Sequence, residues 1–163
     1  MSTCASLVVG ADGSTTKDQR SHGVSSQADR AIFLARRREV DVIIIGGNTA
    51  RNEPYQRTPV PLVVISRSQI NPIPANPKAQ LWNTSPATAI INARKTFGPR
   101  ILIEGGALLL HELLEQGLID DFYLTVTPQR YGENMIDWQG ILNRFTTFTE
   151  SQIDETLFFH AHN

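Results

Sequence analysis

Short runs of apolar residues recur along the chain and predict buried β-strands. The clearest are 42–45, 62–65 and 101–103, in which every residue is apolar. Strands that are apolar at every position are typical of a sheet covered on both faces, and such sheets are usually parallel. Further strands are expected at 5–9, 79–82, 122–126 and, with an alternating pattern that indicates an antiparallel strand exposed on one side, 155–162.

The segments between these strands carry the signals of helices. Ser26 and Asp29 form a capping box, and Ser85 is a good N-cap for the segment that Pro86 opens. Parallel neighbours must be joined by a crossover, so helices between strands predict a three-layer αβα fold with a mainly parallel mixed sheet. The expected helices are 27–38, 86–97 and 107–116.

Length and charge narrow the class of protein. The chain has 163 residues, which is enough for a single compact domain with a substantial core. Its formal net charge is −1, so it shows no electrostatic footprint for nucleic acid or anionic lipid. We interpret the basic run Arg36-Arg37-Arg38 as the solvated end of a helix.

Cysteine usage and hydropathy bear on the cellular compartment. Cys4 is the only cysteine, which excludes an internal disulfide and a thiolate metal cluster and fits a reducing cytoplasm. No apolar stretch approaches the roughly 18 residues that span a bilayer. His111 and Glu115 lie one helical turn apart, but the motif lacks the second histidine of a zinc protease, so we expect no metal site.

Two junctions between a strand and a pair of glycines predict a phosphate-binding cleft. The strand at 101–103 ends in Glu104-Gly105-Gly106 just before a helix, and the strand at 42–45 ends in Gly46-Gly47-Asn48-Thr49. Residues without Cβ let the backbone approach a ligand closely, and the N–H groups at a helix start favour an anion. In such sheets ligands bind beyond the carboxyl ends of the strands, so the two junctions predict one shared cleft.

Three motifs in this order resemble one protein family. Over about 6–132 the chain resembles the reductase domain of bacterial riboflavin biosynthesis, the C-terminal domain of a bifunctional deaminase/reductase in the dihydrofolate-reductase-like superfamily. The motifs are the turn Gly10-Ala11-Asp12-Gly13, the segment 41–49 followed by Arg51-Asn52-Glu53-Pro54, and the segment 101–106 that continues through 113–121 to Pro128.

The resemblance implies an activity, a cofactor and partners. It implies an NADPH-dependent reductase of a ribosylated pyrimidine, of the 5-amino-6-(5-phosphoribosylamino)uracil type, with hydride transfer to the ring-opened ribose. The expected partner is a small-molecule substrate, with no nucleic acid and no membrane. Related domains commonly pair, so a homodimer is expected. Its expected location is the cytoplasm.

The resemblance and the two glycine junctions also assign residues to the cofactor. Arg67 is a separate candidate for the extra phosphate of NADPH, because a guanidinium fork matches phosphate geometry. The superfamily implies a cis peptide between Gly105 and Gly106. The residues expected at NADPH are Val9 at the nicotinamide, Thr49 and Ser66 at polar atoms, and Gly106, Ala107, Leu108 and Leu109 along the pyrophosphate. Gly47 and Gly105, in the two glycine junctions, are also expected to bind the cofactor.

Substrate contacts are assigned in the same way. Arg36 and Arg57 resemble arginines that hold the ribose phosphate, and Glu104 matches a family glutamate that faces the pyrimidine. A carboxylate at a buried strand end costs free energy unless it meets a partner, which favours a functional Glu104. The proton donor is left open between Glu104, Asp12 and a bound water.

Two departures from the family pattern keep other functions open. Ser6 stands where the family commonly has a lysine near the reaction centre, and Asn52-Glu53-Pro54 replaces Asp-Asp-Pro. Asn52 and Glu53 remain the candidate polar pair for the substrate, with Glu53 at a sugar hydroxyl. The alternatives are a dihydrofolate-type or pterin-type reductase and a catalytically silent nucleotide-binding domain, which Ser6 and Asn52 favour.

Overall fold

A computed structural model describes residues 2–163 and shows an α/β protein with a mainly parallel mixed sheet, as the sequence predicts. In chain order the elements are β1 Ser2–Gly10, β2 Ser14–Thr16, a 3₁₀ turn Ser21–Val24, α1 Gln27–Arg36, β3 Val42–Gly46, α2 Gly47–Asn52, β4 Leu62–Ile65, β5 Ala79–Trp82, α3 Pro86–Thr96, β6 Arg100–Glu104, α4 Ala107–Glu115, β7 Asp121–Thr127, β8 Glu133–Met135, α5 Trp138–Leu142, β9 Thr147–Ile153 and β10 Thr156–His162.

The chain divides into two compact units. The first comprises residues 2–5 and Ala35–Asp120, and the second comprises Ser6–Leu34 and Asp121–Asn163. Strand β1 contributes residues to both units. The single domain expected from the length stays a prediction.

The first unit is a parallel sheet with helices in its crossovers. Its strands follow the order β5-β4-β3-β6-β1, and β3 lies parallel to both β4 and β6. The three apolar runs are buried as predicted, since residues 42–45, 62–64 and 101–103 are at most 1 % exposed. Ser85 caps α3 by accepting a hydrogen bond from the Thr88 N–H, so the predicted helix over 86–97 is confirmed to within a residue.

The second unit is antiparallel where the sequence predicts it. Strand β10 pairs antiparallel with β7 on one side and with β9 on the other. The Ser26 hydroxyl accepts from the Asp29 N–H at 3.1 Å, which confirms half of the capping box. The Asp29 carboxylate accepts from the Ser25 hydroxyl at 2.6 Å, and α1 ends two residues before the predicted 38.

The sequence reasoning missed the short and the polar elements. Every residue of β9 is exposed, so this strand has no buried face and leaves no apolar alternation in the sequence. Strands β2 and β8 have three residues each and pair only with one another. The longest helix, α3, has 11 residues, and within 2–163 no helix is both long and apolar enough to cross a membrane.

Candidate functional site

The carboxyl ends of three neighbouring strands meet at one edge of the first unit. In the parallel register Ile44 lies opposite Ile103 of β6, and Gly46 lies opposite Ile65 of β4. The chain therefore leaves β3, β4 and β6 at the same end of the sheet. This confirms that the two glycine junctions belong to adjacent strands, and it adds Ser66, directly after β4, to the same edge.

Thr49 connects the two glycine junctions. A Cβ at Gly105 would lie 2.9 Å from Thr49 Cγ2 and 3.1 Å from its Oγ1, and a Cβ at Gly106 would lie 3.4 Å from Oγ1. Both glycines also have positive φ, +65° and +75°, which larger residues rarely adopt. The turn thus requires glycine for close approach at 105 and for conformation at both positions.

The peptide between Gly105 and Gly106 is trans. No cis peptide occurs among residues 2–163, so the cis bond implied by the superfamily resemblance is wrong for this chain. Two successive glycines with positive φ join β6 to α4 here without a cis bond.

Gly47 brings a second pair of polar groups to this edge. A Cβ at Gly47 would lie 3.0 Å from Ser66 Oγ and 3.2 Å from Arg51 Nη1. The glycine therefore leaves room for a hydroxyl and a guanidinium beside the backbone. Sequence reasoning named Gly47 and Ser66 but missed Arg51, which lies four residues after Gly47 and on the same face of α2.

The start of α4 presents backbone N–H groups at the same junction. Gly106 is the N-cap and no side chain caps the helix. The first intrahelical bond runs from the Leu110 N–H to the Gly106 carbonyl at 3.0 Å, so the N–H groups of 107–109 lack partners within the helix. Ala107 and Leu108 are exposed, whereas Leu109 is buried against the core. This geometry suits an anion.

Glu104, the last residue of β6, is held by an arginine and a tyrosine. Its side chain is 1 % exposed. Oε1 accepts from Arg37 Nε at 2.8 Å, and Oε2 accepts from Arg37 Nη2 at 2.6 Å and from the Tyr55 hydroxyl at 2.6 Å. A fork of two parallel bonds is the strongest form of an arginine–carboxylate pair. We call Arg37, Tyr55 and Glu104 the carboxylate cluster.

Arg37 and Tyr55 are themselves buried and in contact. The Arg37 guanidinium carbon lies 4.9 Å from the centroid of the Tyr55 ring, within cation–π distance. Burial opposes the charge on Arg37, but Glu104 outweighs it and raises the Arg37 pKa. Burial, followed by the charge of Glu104, raises the Tyr55 pKa well above its usual value.

The carboxylate cluster corrects one prediction and was missed as a whole. Arg37 is 6 % exposed, so the interpretation of Arg36-Arg37-Arg38 as a solvated helix end is wrong for its central residue. The available signal was the need of a buried glutamate for a cation. The sequence held no indication of which arginine would meet it, because the pair is 67 residues apart.

The structure places the other predicted residues in different settings. Arg57, Arg67 and Asn52 are exposed and Arg36 is half-buried. The Asn52 amide donates to the Asn48 carbonyl and side-chain oxygens, at 3.0 and 3.2 Å, and Glu53 is the C-cap of α2. Their roles toward a substrate stay predictions.

Val9 and Asp12 belong to the second unit. Val9 is fully buried. The Asp12 carboxylate accepts from the Ser14 hydroxyl and from the Tyr131 N–H, both at 2.7 Å, and these bonds lower its pKa. A carboxyl with a lowered pKa is a weak proton donor near neutral pH.

Sequence comparison identifies the family. Residues 3–157 match the family of the RibD C-terminal domain. The chain belongs to this family. The resemblance deduced from the three motifs is thus confirmed over nearly the whole length. Among curated proteins none matches this chain.

Solved structures share the fold at low identity. A deaminase/5-amino-6-(5-phosphoribosylamino)uracil reductase from Thermotoga maritima has a TM-score of 0.73 at 14 % identity, over 98 % of this chain and 56 % of that one. A pyrimidine reductase-like protein from Corynebacterium diphtheriae has a TM-score of 0.73 at 16 % identity, over 99 % and 91 %. RibD from Acinetobacter baumannii has 0.72 at 18 %, over 99 % and 57 %. The chain therefore spans little more than half of the two RibD-type proteins.

Removal of the buried cation tests the energetics of the carboxylate cluster. We expect Arg37→Met to lower the free energy of unfolding by about 3–5 kcal/mol, because it leaves the Glu104 carboxylate buried and unpaired. Adding Glu104→Gln should recover part of this loss, since the double variant buries no charge. Urea unfolding measures both, with Arg38→Met on the exposed neighbour as control. A double variant no more stable than Arg37→Met would show that the buried Glu104 charge is not the source of the loss.

The buried Tyr55 phenol should make the protein less stable at alkaline pH. The unfolded phenol releases its proton near pH 10, whereas the folded phenol keeps it because its pKa is raised. The stabilisation is therefore complete below about pH 10 and decreases as the pH rises beyond it. Tyr55→Phe should flatten this decline in urea unfolding between pH 8 and 11, and Tyr131→Phe, at a residue that is 89 % exposed, should not. Equal slopes in wild type and Tyr55→Phe would refute the assignment.

Proposed function

We propose that this protein is an NADPH-dependent reductase of the riboflavin pathway. Its substrate is a ribosylaminopyrimidine of the 5-amino-6-(5-phosphoribosylamino)uracil type. The observation that carries the proposal is the family match over residues 3–157. It is supported by the name of the Thermotoga protein, which includes this uracil reductase. The cytoplasmic location and the homodimer expected from the sequence belong to the same proposal.

The edge formed by β3, β4 and β6 supports binding of a dinucleotide. The cradle at Gly105 would be filled by a Cβ, and the first N–H groups of α4 suit the pyrophosphate. Thr49, between the two glycine junctions, and Ser66 supply hydroxyl groups for the remaining polar atoms. NADPH supplies the hydride when it is bound, and the protein orients the two reactants and limits access of water.

The proposed reaction reduces the imine form of the opened ribosylamine. Hydride adds to the imine carbon and a proton to the nitrogen, which gives the ribitylamino product. Arg57 and Arg36 are the proposed cations for the substrate phosphate, and Glu53 is proposed at a sugar hydroxyl.

The carboxylate cluster suggests a positioning role for Glu104. Its two oxygens already accept three hydrogen bonds from Arg37 and Tyr55. We therefore propose that Glu104 fixes the backbone just before Gly105. Because the Asp12 pKa is lowered, the proposed source of the proton is a bound water.

A catalytically silent nucleotide-binding domain is the second candidate. Asn52 replaces a carboxylate of the family pattern, and its amide is engaged with Asn48 within α2. Ser6 replaces the lysine that the resemblance places near the reaction centre. Relative to the family pattern, the chain thus lacks a carboxylate at position 52 and an ammonium group at position 6, while it keeps the glycine turns.

A cofactor and substrate assay separates these functions. The purified protein is titrated with NADPH and NADH, and absorbance of the reduced cofactor is followed with the ribosylaminopyrimidine phosphate and with dihydrofolate. We expect oxidation of NADPH with the first substrate. Oxidation with dihydrofolate alone would support a pterin-type reductase, and binding without oxidation would support the silent domain.

Two glycines with positive φ test the phosphate cradle. Gly106 and Gly117 have φ of +75° and +63°, at opposite ends of α4, and no atom lies within 4 Å of a Cβ at Gly117. Valine at either position has to adopt a positive φ, which residues with a Cβ rarely do. We expect Gly106→Val to abolish NADPH binding and Gly117→Val to retain it, as measured by quenching of intrinsic fluorescence. Unchanged affinity in Gly106→Val would remove that residue from the site.

A further inference from the structure

We propose that Arg51 selects the phosphorylated dinucleotide by binding the phosphate ester on its adenosine ribose. This inference rests on the proposed function, since it assigns a specificity-determining residue to the same site. It is an alternative to Arg67, the candidate that the sequence suggested, and the experiment below distinguishes the two.

The proposal begins from the space beside Gly47. The atoms nearest to a Cβ at this glycine belong to Ser66 and Arg51, with Oγ at 3.0 Å and Nη1 at 3.2 Å. A hydroxyl from the end of β4 and a guanidinium from α2 therefore approach the same backbone position. Together they offer an oxygen donor and a planar nitrogen fork, which is the donor set that phosphate monoesters bind.

Arg51 has its charge available for a ligand. Among residues 2–163 no carboxylate lies within 4.0 Å of its guanidinium, whereas Arg37 is paired with Glu104 and Arg100 with Asp41. Arg51 is also exposed, so a bound anion does not have to displace a protein partner. An unpaired guanidinium beside a hydroxyl is therefore a suitable group for a dianionic phosphate.

The position of this pair suits the far end of a dinucleotide. The Gly105-Gly106 turn and the start of α4 follow β6, and the Gly47 pair follows β3 and β4 on the side away from β6 in the strand order. Adjacent strands lie about 4.8 Å apart, so the two anion positions are separated by roughly one to two strand spacings. A pyrophosphate at the first position leaves the adenosine ribose to reach the second.

Arg67 is the second arginine near this edge in the sequence. It directly follows Ser66, whereas the three atoms nearest to a Cβ at Gly47 belong to Ser66 and Arg51. Arg67 is exposed like Arg51 and carries the same charge, which makes it a matched control for any general electrostatic effect on an anionic ligand.

The test compares two cofactors and two arginines. Dissociation constants for NADPH and NADH are measured from cofactor fluorescence for wild type, Arg51→Gln and Arg67→Gln. We expect wild type to prefer NADPH and Arg51→Gln to weaken NADPH binding about 10- to 100-fold, with the affinity for NADH nearly unchanged. Arg67→Gln should resemble wild type. Adenosine 2′,5′-bisphosphate should compete with NADPH more strongly than adenosine 5′-monophosphate does in wild type and Arg67→Gln. In Arg51→Gln the two nucleotides should compete equally well.

The outcomes separate this inference from the proposed function. Four results would overturn the role of Arg51 and leave the reductase proposal intact. They are undiminished NADPH binding in Arg51→Gln, an equal loss of affinity for both cofactors in that variant, a selective loss of NADPH affinity in Arg67→Gln, and equal affinity of the wild type for both cofactors. Wild type that binds neither would overturn both proposals. Arg51→Lys, which keeps the charge but not the fork, should retain part of the preference.

Discussion

A carboxylate buried immediately before a glycine turn is the constraint on which the first unit depends. Glu104 ends β6, and its oxygens are held by Arg37, which follows α1, and by Tyr55, which follows α2. Removal of either partner would leave polar atoms buried without full compensation, a condition that folded proteins avoid. The ion pair thus ties two separate segments to the strand end from which the turn at Gly105 begins.

The functional edge follows from this fixed point and from the parallel register. Strands β3, β4 and β6 run in the same direction, so their exits lie side by side. Glycines at these exits leave room for Thr49, which a Cβ at Gly105 would approach to 2.9 Å, and for Ser66 and Arg51, which a Cβ at Gly47 would contact tightly at 3.0 and 3.2 Å. The positions of these polar groups therefore depend on the lack of a Cβ at the glycines.

Sequence reasoning succeeded where one local pattern determines the structure. The apolar runs of β3, β4 and β6 predict their own burial, and Ser85 predicts the start of α3. It failed where a distant partner decides the outcome, as for Arg37, or where a strand such as β9 buries no face. The family resemblance was correct, yet it carried over a cis peptide that two glycines with positive φ make unnecessary here.

The carboxylate cluster also limits how this family member can diverge. A neutral replacement at Glu104 would leave the Arg37 cation buried and unpaired, and a neutral replacement at Arg37 would do so to the Glu104 carboxylate. A single neutral substitution at either position is therefore expected to be destabilising. Residues 37, 55 and 104 are therefore coupled energetically in the folded protein, although they lie far apart in the sequence.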